Sequence, residues 1–167
     1  MDSPRLMRRL RAAFDARVFN HGDYNLVYGQ PSGSSTPLVI GYRHVPLEMV
    51  LCPVDPAAEP VLRAPQEPDP VTVGLHNVAT VADTGSGYQV ETVTGFRTWF
   101  DVSEHARVPV GDLTEDGVAD LDQRADAADF HGFMTAFMDE LDRLYAVSDP
   151  AEAVTPDPGL DGAPKTW

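Results

Sequence analysis

Apolar residues recur at three- and four-residue steps near the N-terminus, where Leu6, Leu10, Ala13, Phe14 and Val18 form one stripe with Met7 at its edge. Ser3-Pro4 supplies a hydroxyl N-cap and a proline at the first helical position, where the missing N–H costs nothing. The spacing therefore predicts a helix from Pro4 to Arg17, ended by the turn formers Asn20-His21-Gly22-Asp23. The period then changes to that of strands, with runs at Tyr24–Tyr28, Leu38–Tyr42 and Glu48–Val54. Short turn-rich connections between them favour antiparallel neighbours. Six prolines follow, at 53, 56, 60, 65, 68 and 70, which remove ladder donors and fix φ. Pro53–Pro70 reads as a long stiff loop carrying at most an edge strand at Val61-Leu62, and a loop of that length in a compact domain points to a functional role.

Between Val71 and Val102 the strand signal is strongest. Thr84-Gly85-Ser86-Gly87 and Thr94-Gly95 divide it into runs near Asn77–Ala82, Tyr88–Val93 and Phe96–Val102, the pattern of a three-stranded meander with one face on a core. A long helix from Leu121 to Ala146 closes the ordered chain, with Asp120 as N-cap and Gln123 as its capping-box partner. Phe130, Phe133, Met134, Phe137, Met138, Leu141, Leu144 and Tyr145 fall within a ~140° arc, the stripe expected of a helix laid across a sheet. Opposite that stripe, Ala125, Ala128, Gly132 and Ala136 form a ridge of small residues. A mid-helix glycine costs up to ~1 kcal/mol against alanine, and such a ridge admits the close approach of a second helix, as at a homodimer seam or a partner-binding groove.

These elements make one α+β domain over residues 1–147: an N-terminal helix, a bent antiparallel sheet of about six strands, and a long C-terminal helix packed across it. Residues 148–167, rich in proline and acid, are expected to form a disordered tail. Strands followed by a capping helix resemble the topology of PH-like barrels, and the helix, strands, helix order is similar to secretion-chaperone-like folds. Neither resemblance extends to a motif, and a fold does not fix a function.

Composition narrows the function classes. With 43% hydrophobic and 23% charged residues the chain is in the globular range. Its 12 basic and 26 acidic residues give a net charge of −14, which opposes binding to nucleic acid and to anionic lipid. Residues 1–17 carry +3, residues 18–100 carry −5 and residues 101–167 carry −12, so the phosphoinositide binding that a PH-like resemblance implies is disfavoured. Cys52, the lone cysteine, cannot form an internal disulfide. No stretch approaches a ~20-residue membrane span, and no apolar signal segment follows the early arginines. A cytoplasmic chain without a membrane span is the expectation.

Chemistry-bearing patterns are sparse. Counting from Asp112, oxygen-bearing side chains stand at positions 1, 3, 5 and 9 (Asp112, Thr114, Asp116, Asp120), with Gly117 at 6, a spacing that resembles the calcium loop of EF-hands. Gln123 replaces the bidentate glutamate at position 12, and Val108-Pro109-Val110 cannot build an entering helix. The five histidines, 21, 44, 76, 105 and 131, form only local pairs such as His21-x-Asp23 and His44-x-x-x-Glu48. His131, outside the aromatic arc and beside Arg124 and Asp142, reads as a solvated edge. No nucleophile elbow and no glycine-rich phosphate cradle precede a helix. Arg5, Arg8, Arg9, Arg11 and Arg17 would be satisfied within the molecule by the acidic helix edge at Asp122, Asp126, Asp129 and Glu140. The reading that fits best is a non-catalytic protein-binding or regulatory domain, with an acidic surface that meets a basic protein partner. The alternative is a small enzyme or metal-dependent protein whose pocket lies under the Pro53–Pro70 loop and draws on His44, Glu48 and His76.

Overall fold

A computed structural model describes residues 1–34, 36–58 and 68–148. The elements run α1 (Ser3–Asp15), β1 (Asn25–Pro31), β2 (Leu38–His44), β3 (Leu47–Pro53), β4 (Val71–Gly74), β5 (Val78–Asp83), β6 (Tyr88–Thr92), β7 (Arg97–Asp101), β8 (His105–Pro109), β9 (Val118–Asp122) and α2 (Arg124–Ser148). Seven strands form one antiparallel sheet, ordered β4-β3-β2-β1-β7-β6-β5, and β8 with β9 forms a separate hairpin. The expected α+β architecture is present, with a sheet bent nearly into a barrel. The bend lies in β1, which pairs with β2 through Asn25–Gly29 and with β7 through Gln30 and Pro31.

Strand alternation divides the core into two clusters. On the concave side, Leu38, Ile40, Tyr42, Met49 and Leu51 meet Phe130, Phe133, Met134, Phe137 and Leu141 of α2. On the convex side, Val39, Val50 and Cys52 meet Leu6, Leu10, Ala13 and Phe14 of α1 and Val108, Val110, Ala119 and Leu121 of the hairpin. Strands covered on both faces read as continuous apolar runs, which is why Leu38–Tyr42 and Met49–Cys52 show little polar alternation. Gly41 sets the seat of α1: a Cβ there would stand 2.5 Å from Phe14 Cζ, so only glycine lets that ring lie on the backbone.

Several expectations are corrected in detail. The N-cap of α1 is Asp2, whose carboxylate accepts from Arg5 N–H at 2.9 Å. Ser3 instead joins α1 to the hairpin: its hydroxyl donates to Asp120 O (3.2 Å) and accepts from Asp122 N–H (2.9 Å). The α1 arginines do not reach the acidic edge of α2, because the two helices lie on opposite faces of the sheet. Arg9 donates to the carbonyls of Pro56, Ala57 and Ala58, and Arg17 to those of Pro53 (2.6 Å) and Pro68 (2.7 Å).

The start of α2 moves from Leu121 to Arg124, since Val118–Asp122 is strand β9. Asp120 is thus no helix cap. Gln123, 2% exposed, acts across the fold: its side chain accepts from Tyr28 N–H (2.9 Å) and donates to Tyr28 O (3.0 Å) and Ser103 O (2.8 Å). It pairs with β1 as a neighbouring strand would. Asn77 does the same for β4, accepting from Gly74 N–H (2.9 Å) and donating to Thr72 O (2.8 Å). Within the aromatic stripe Met138 and Leu144 are half-buried, and Tyr145 is 57% exposed. The Val61-Leu62 strand and the tail beyond Ser148 lie outside the described residues.

Candidate functional site

A concavity of about 580 Å³ opens between α2 and the turn joining β5 to β6. Tyr88 forms its floor. The ring packs on Phe100 and Phe130, each 5.9 Å away by centroid, and only 6% of the residue is exposed. Its hydroxyl lies 2.6 Å from His131 Nδ1 on α2. Burial first, and then the nearby carboxylates of Asp83 and Asp101, push the Tyr88 phenol up to about 12. The phenol therefore keeps its proton near neutrality and shares a short hydrogen bond with His131 Nδ1, whose direction the imidazole tautomer sets.

Asp83 and Asp101 end β5 and β7 and flank this floor. Asp83 accepts from Gly85 N–H at 2.8 Å and Asp101 from the Ser103 hydroxyl at 3.1 Å, and neither meets a cation among the described residues. Met138 and Thr135 complete the helix wall. Gly87 makes the turn possible: at φ 151° its backbone passes so close to Phe100 O that any Cβ would strike it. Two carboxylates without a counter-ion, a phenol ring and a thioether suit a cationic side chain with an apolar stem.

The Tyr88 environment predicts an alkaline limit to stability. A phenol with an ordinary value of 10.0 when unfolded and about 12 when folded stabilises the native state fully below pH 10. That contribution is lost as pH rises from 10 towards 12, and Tyr28, raised to about 12 by burial, adds to it. Spectrophotometric phenolate titration should show these two tyrosines ionising together with unfolding. Ionisation near pH 10 in the folded protein would contradict the burial of both hydroxyls.

Apart from His131, the candidate site residues singled out in the sequence lie outside the lining of this cleft. Ala125, Ala128 and Gly132 form an exposed ridge on α2, with Ala136 half-buried at its end, and nothing stands within 4 Å of where a Gly132 Cβ would be. His131, expected as a solvated edge, is instead the partner of Tyr88, and Arg124 lies beside His105 at 3.1 Å. In the hairpin, Asp112 lies in a 3-10 turn (Gly111–Leu113), and the Thr114 hydroxyl spans Asp116 (3.2 Å) and Val118 O (2.9 Å). Asp116 and Asp120 flank Arg107 at 3.8 and 3.6 Å, while Gln123, position 12 of the calcium spacing, turns away to β1. Among the described residues no group of three or more His, Cys, Asp or Glu side chains is placed to hold a metal ion.

His44, Glu48 and His76 do not converge. His44 lies against Phe133 on the concave side (5.5 Å), whereas Glu48 alternates with the concave residues Met49 and Leu51 and so projects from the convex side. There its Oε1 accepts from Tyr24 OH (2.8 Å) and from Arg43 (2.5 and 2.9 Å). His76 approaches Gly74, the register partner of Glu48. His21 meets the exposed ring of Phe19 edge-to-face, and Cys52 is fully buried. No helix among the described residues is long and apolar enough to cross a membrane. No family model, curated protein or solved structure matches this chain.

Proposed function

We propose that this protein is a non-catalytic binding module that recognises a basic protein partner through the outer surface of α2 and the cleft beside it. The observation that supports this reading is the pair Asp83 and Asp101, which face one cleft over Tyr88 and meet no cation among the described residues. Some carboxylates elsewhere are matched within the fold, as Glu48 and Asp23 are by Arg43, Glu91 by Arg97 and Glu140 by Arg143. The adjoining ridge of Ala125, Ala128 and Gly132 offers a smooth track bordered by Asp126, Asp129, Asp139 and Asp142, all exposed. A basic amphipathic helix fits such a track, one lysine or arginine entering the cleft. The net charge of −14 steers it there and raises the association rate.

A fluorescent Lys-rich helical peptide, titrated at several salt concentrations, tests the reading. Asp83→Asn with Asp101→Asn should weaken binding about tenfold and flatten its salt dependence, since two rim charges no longer contribute. Amide shifts should centre on Gly132 and His131. Binding that ignores both salt and the double substitution would remove the proposal.

A further inference from the structure

A second cavity, unconnected with the acidic cleft, lies at the end of the sheet where β2 begins and β3 ends. It measures about 200 Å³, and no described residue of α2 lines it. Leu38, Leu51, Val71 and Phe96 supply apolar walls. Thr98 projects from β7 on the concave side, in alternation with buried Phe100, and its hydroxyl has no hydrogen-bond partner among the described residues. The two shoulders of the mouth, Pro53 and Pro68, are held at a set separation by one guanidinium, that of Arg17, which bonds the carbonyl of each.

We propose that this cavity binds a small neutral molecule with an apolar ring and one hydroxyl, of the phenol class, the ring between Leu38, Leu51 and Val71 and the hydroxyl on Thr98. Size supports this: an apolar protein cavity of ~150 Å³ takes up benzene, so this one accommodates a ring with a substituent. Polarity supports it as well. A half-buried hydroxyl without a partner gains a hydrogen bond only from a ligand or water, and a ligand that brings apolar surface along with it adds the hydrophobic term. Charge sets the neutrality of the ligand: Asp69 stands at the rim, and no cation among the described residues lines the cavity.

Phenol and toluene, titrated against the full chain with methyl NMR of Leu38, Leu51 and Val71 as readout, decide the matter. Phenol is expected to bind with a Kd of about 0.1–1 mM and to shift those methyls, and toluene to bind more weakly. Thr98→Val should bring phenol down to the level of toluene and leave toluene unchanged. Thr98→Leu, which fills the space, should weaken both by at least about tenfold, and Val71→Leu fills it from the opposite wall should Thr98→Leu fail to fold. Absence of methyl shifts at millimolar phenol, or phenol binding indifferent to Thr98→Val and to the filling substitutions, would overturn the assignment.

Discussion

Phe133→Ala is expected to lower the unfolding free energy by about 3–5 kcal/mol, the range for removing a fully buried aromatic ring. Phe133 is 0% exposed and meets Tyr42, Phe130 and Phe137 with centroids 5.1, 6.1 and 5.8 Å away. Its removal leaves a void between α2 and the middle of the sheet, bounded by rings that cannot collapse without leaving their own partners. Urea denaturation followed by fluorescence measures the loss. An unchanged m value would show that the denatured state is unaffected and that the difference lies in the native core. Tyr145→Ala, three turns further along the same helix and 57% exposed, serves as a control and should change stability by less than about 0.5 kcal/mol. A loss below about 1 kcal/mol at Phe133 would mean that α2 is not seated on the sheet as described.

Gln123→Leu should be nearly as damaging for a different reason. Leucine keeps much of the volume but leaves Tyr28 N–H, Tyr28 O and Ser103 O facing an apolar group, and each buried polar group left unpaired costs ~1–3 kcal/mol. A net loss of about 2–4 kcal/mol follows after allowance for the gain in apolar burial. Gln123→Glu sharpens the test. A carboxylate still accepts from Tyr28 N–H but repels Tyr28 O and Ser103 O, whereas a carboxylic acid donates to one of them. The Glu variant should therefore gain stability as pH falls, opposite to the acid sensitivity expected of the paired carboxylates in the native protein. Hydrogen exchange at Tyr28 reads the local effect, since its amide should lose protection in Gln123→Leu ahead of its neighbours in β1.

Phe133 lies on α2 and Gln123 immediately before it, yet the two residues differ in how far they could be read from the chain. The aromatic stripe repeats every three or four residues, and a period that local is visible without a fold. The meander was legible for the same reason, since Tyr88, Val90 and Thr92 alternate with polar neighbours and glycines mark the turns. Gln123 looked like a local cap because its spacing from Asp120 satisfies the capping pattern, but its hydrogen bonds run to a strand 95 residues earlier. The missed strand β9 carries a weak signal of its own: Ala119 and Leu121 turn inward between exposed Asp120 and Asp122, a period of two that the acidic, cap-like composition masks. The cleft was illegible in principle. Tyr88 and His131 are 43 residues apart, and nothing adjacent to either announces the other. The arginines of α1 were assigned to the acids of α2 because charge counting looks for acids, whereas Arg9 and Arg17 donate to main-chain carbonyls, which every residue possesses.

That last feature bears on how this protein can vary. A guanidinium that grips backbone oxygens takes no account of which side chains those residues carry. The described ends of the Pro53–Pro70 segment are thus positioned by information stored on α1, and substitutions at Pro56, Ala57 or Ala58 that preserve the course of the backbone leave the grip intact. Arg9 and Arg17 have no such latitude, since lysine offers a single point of contact in place of a planar fork. Among related chains the helix should drift slowly at those two positions while the segment they hold diverges, and a library randomised over both regions would sort in the same way.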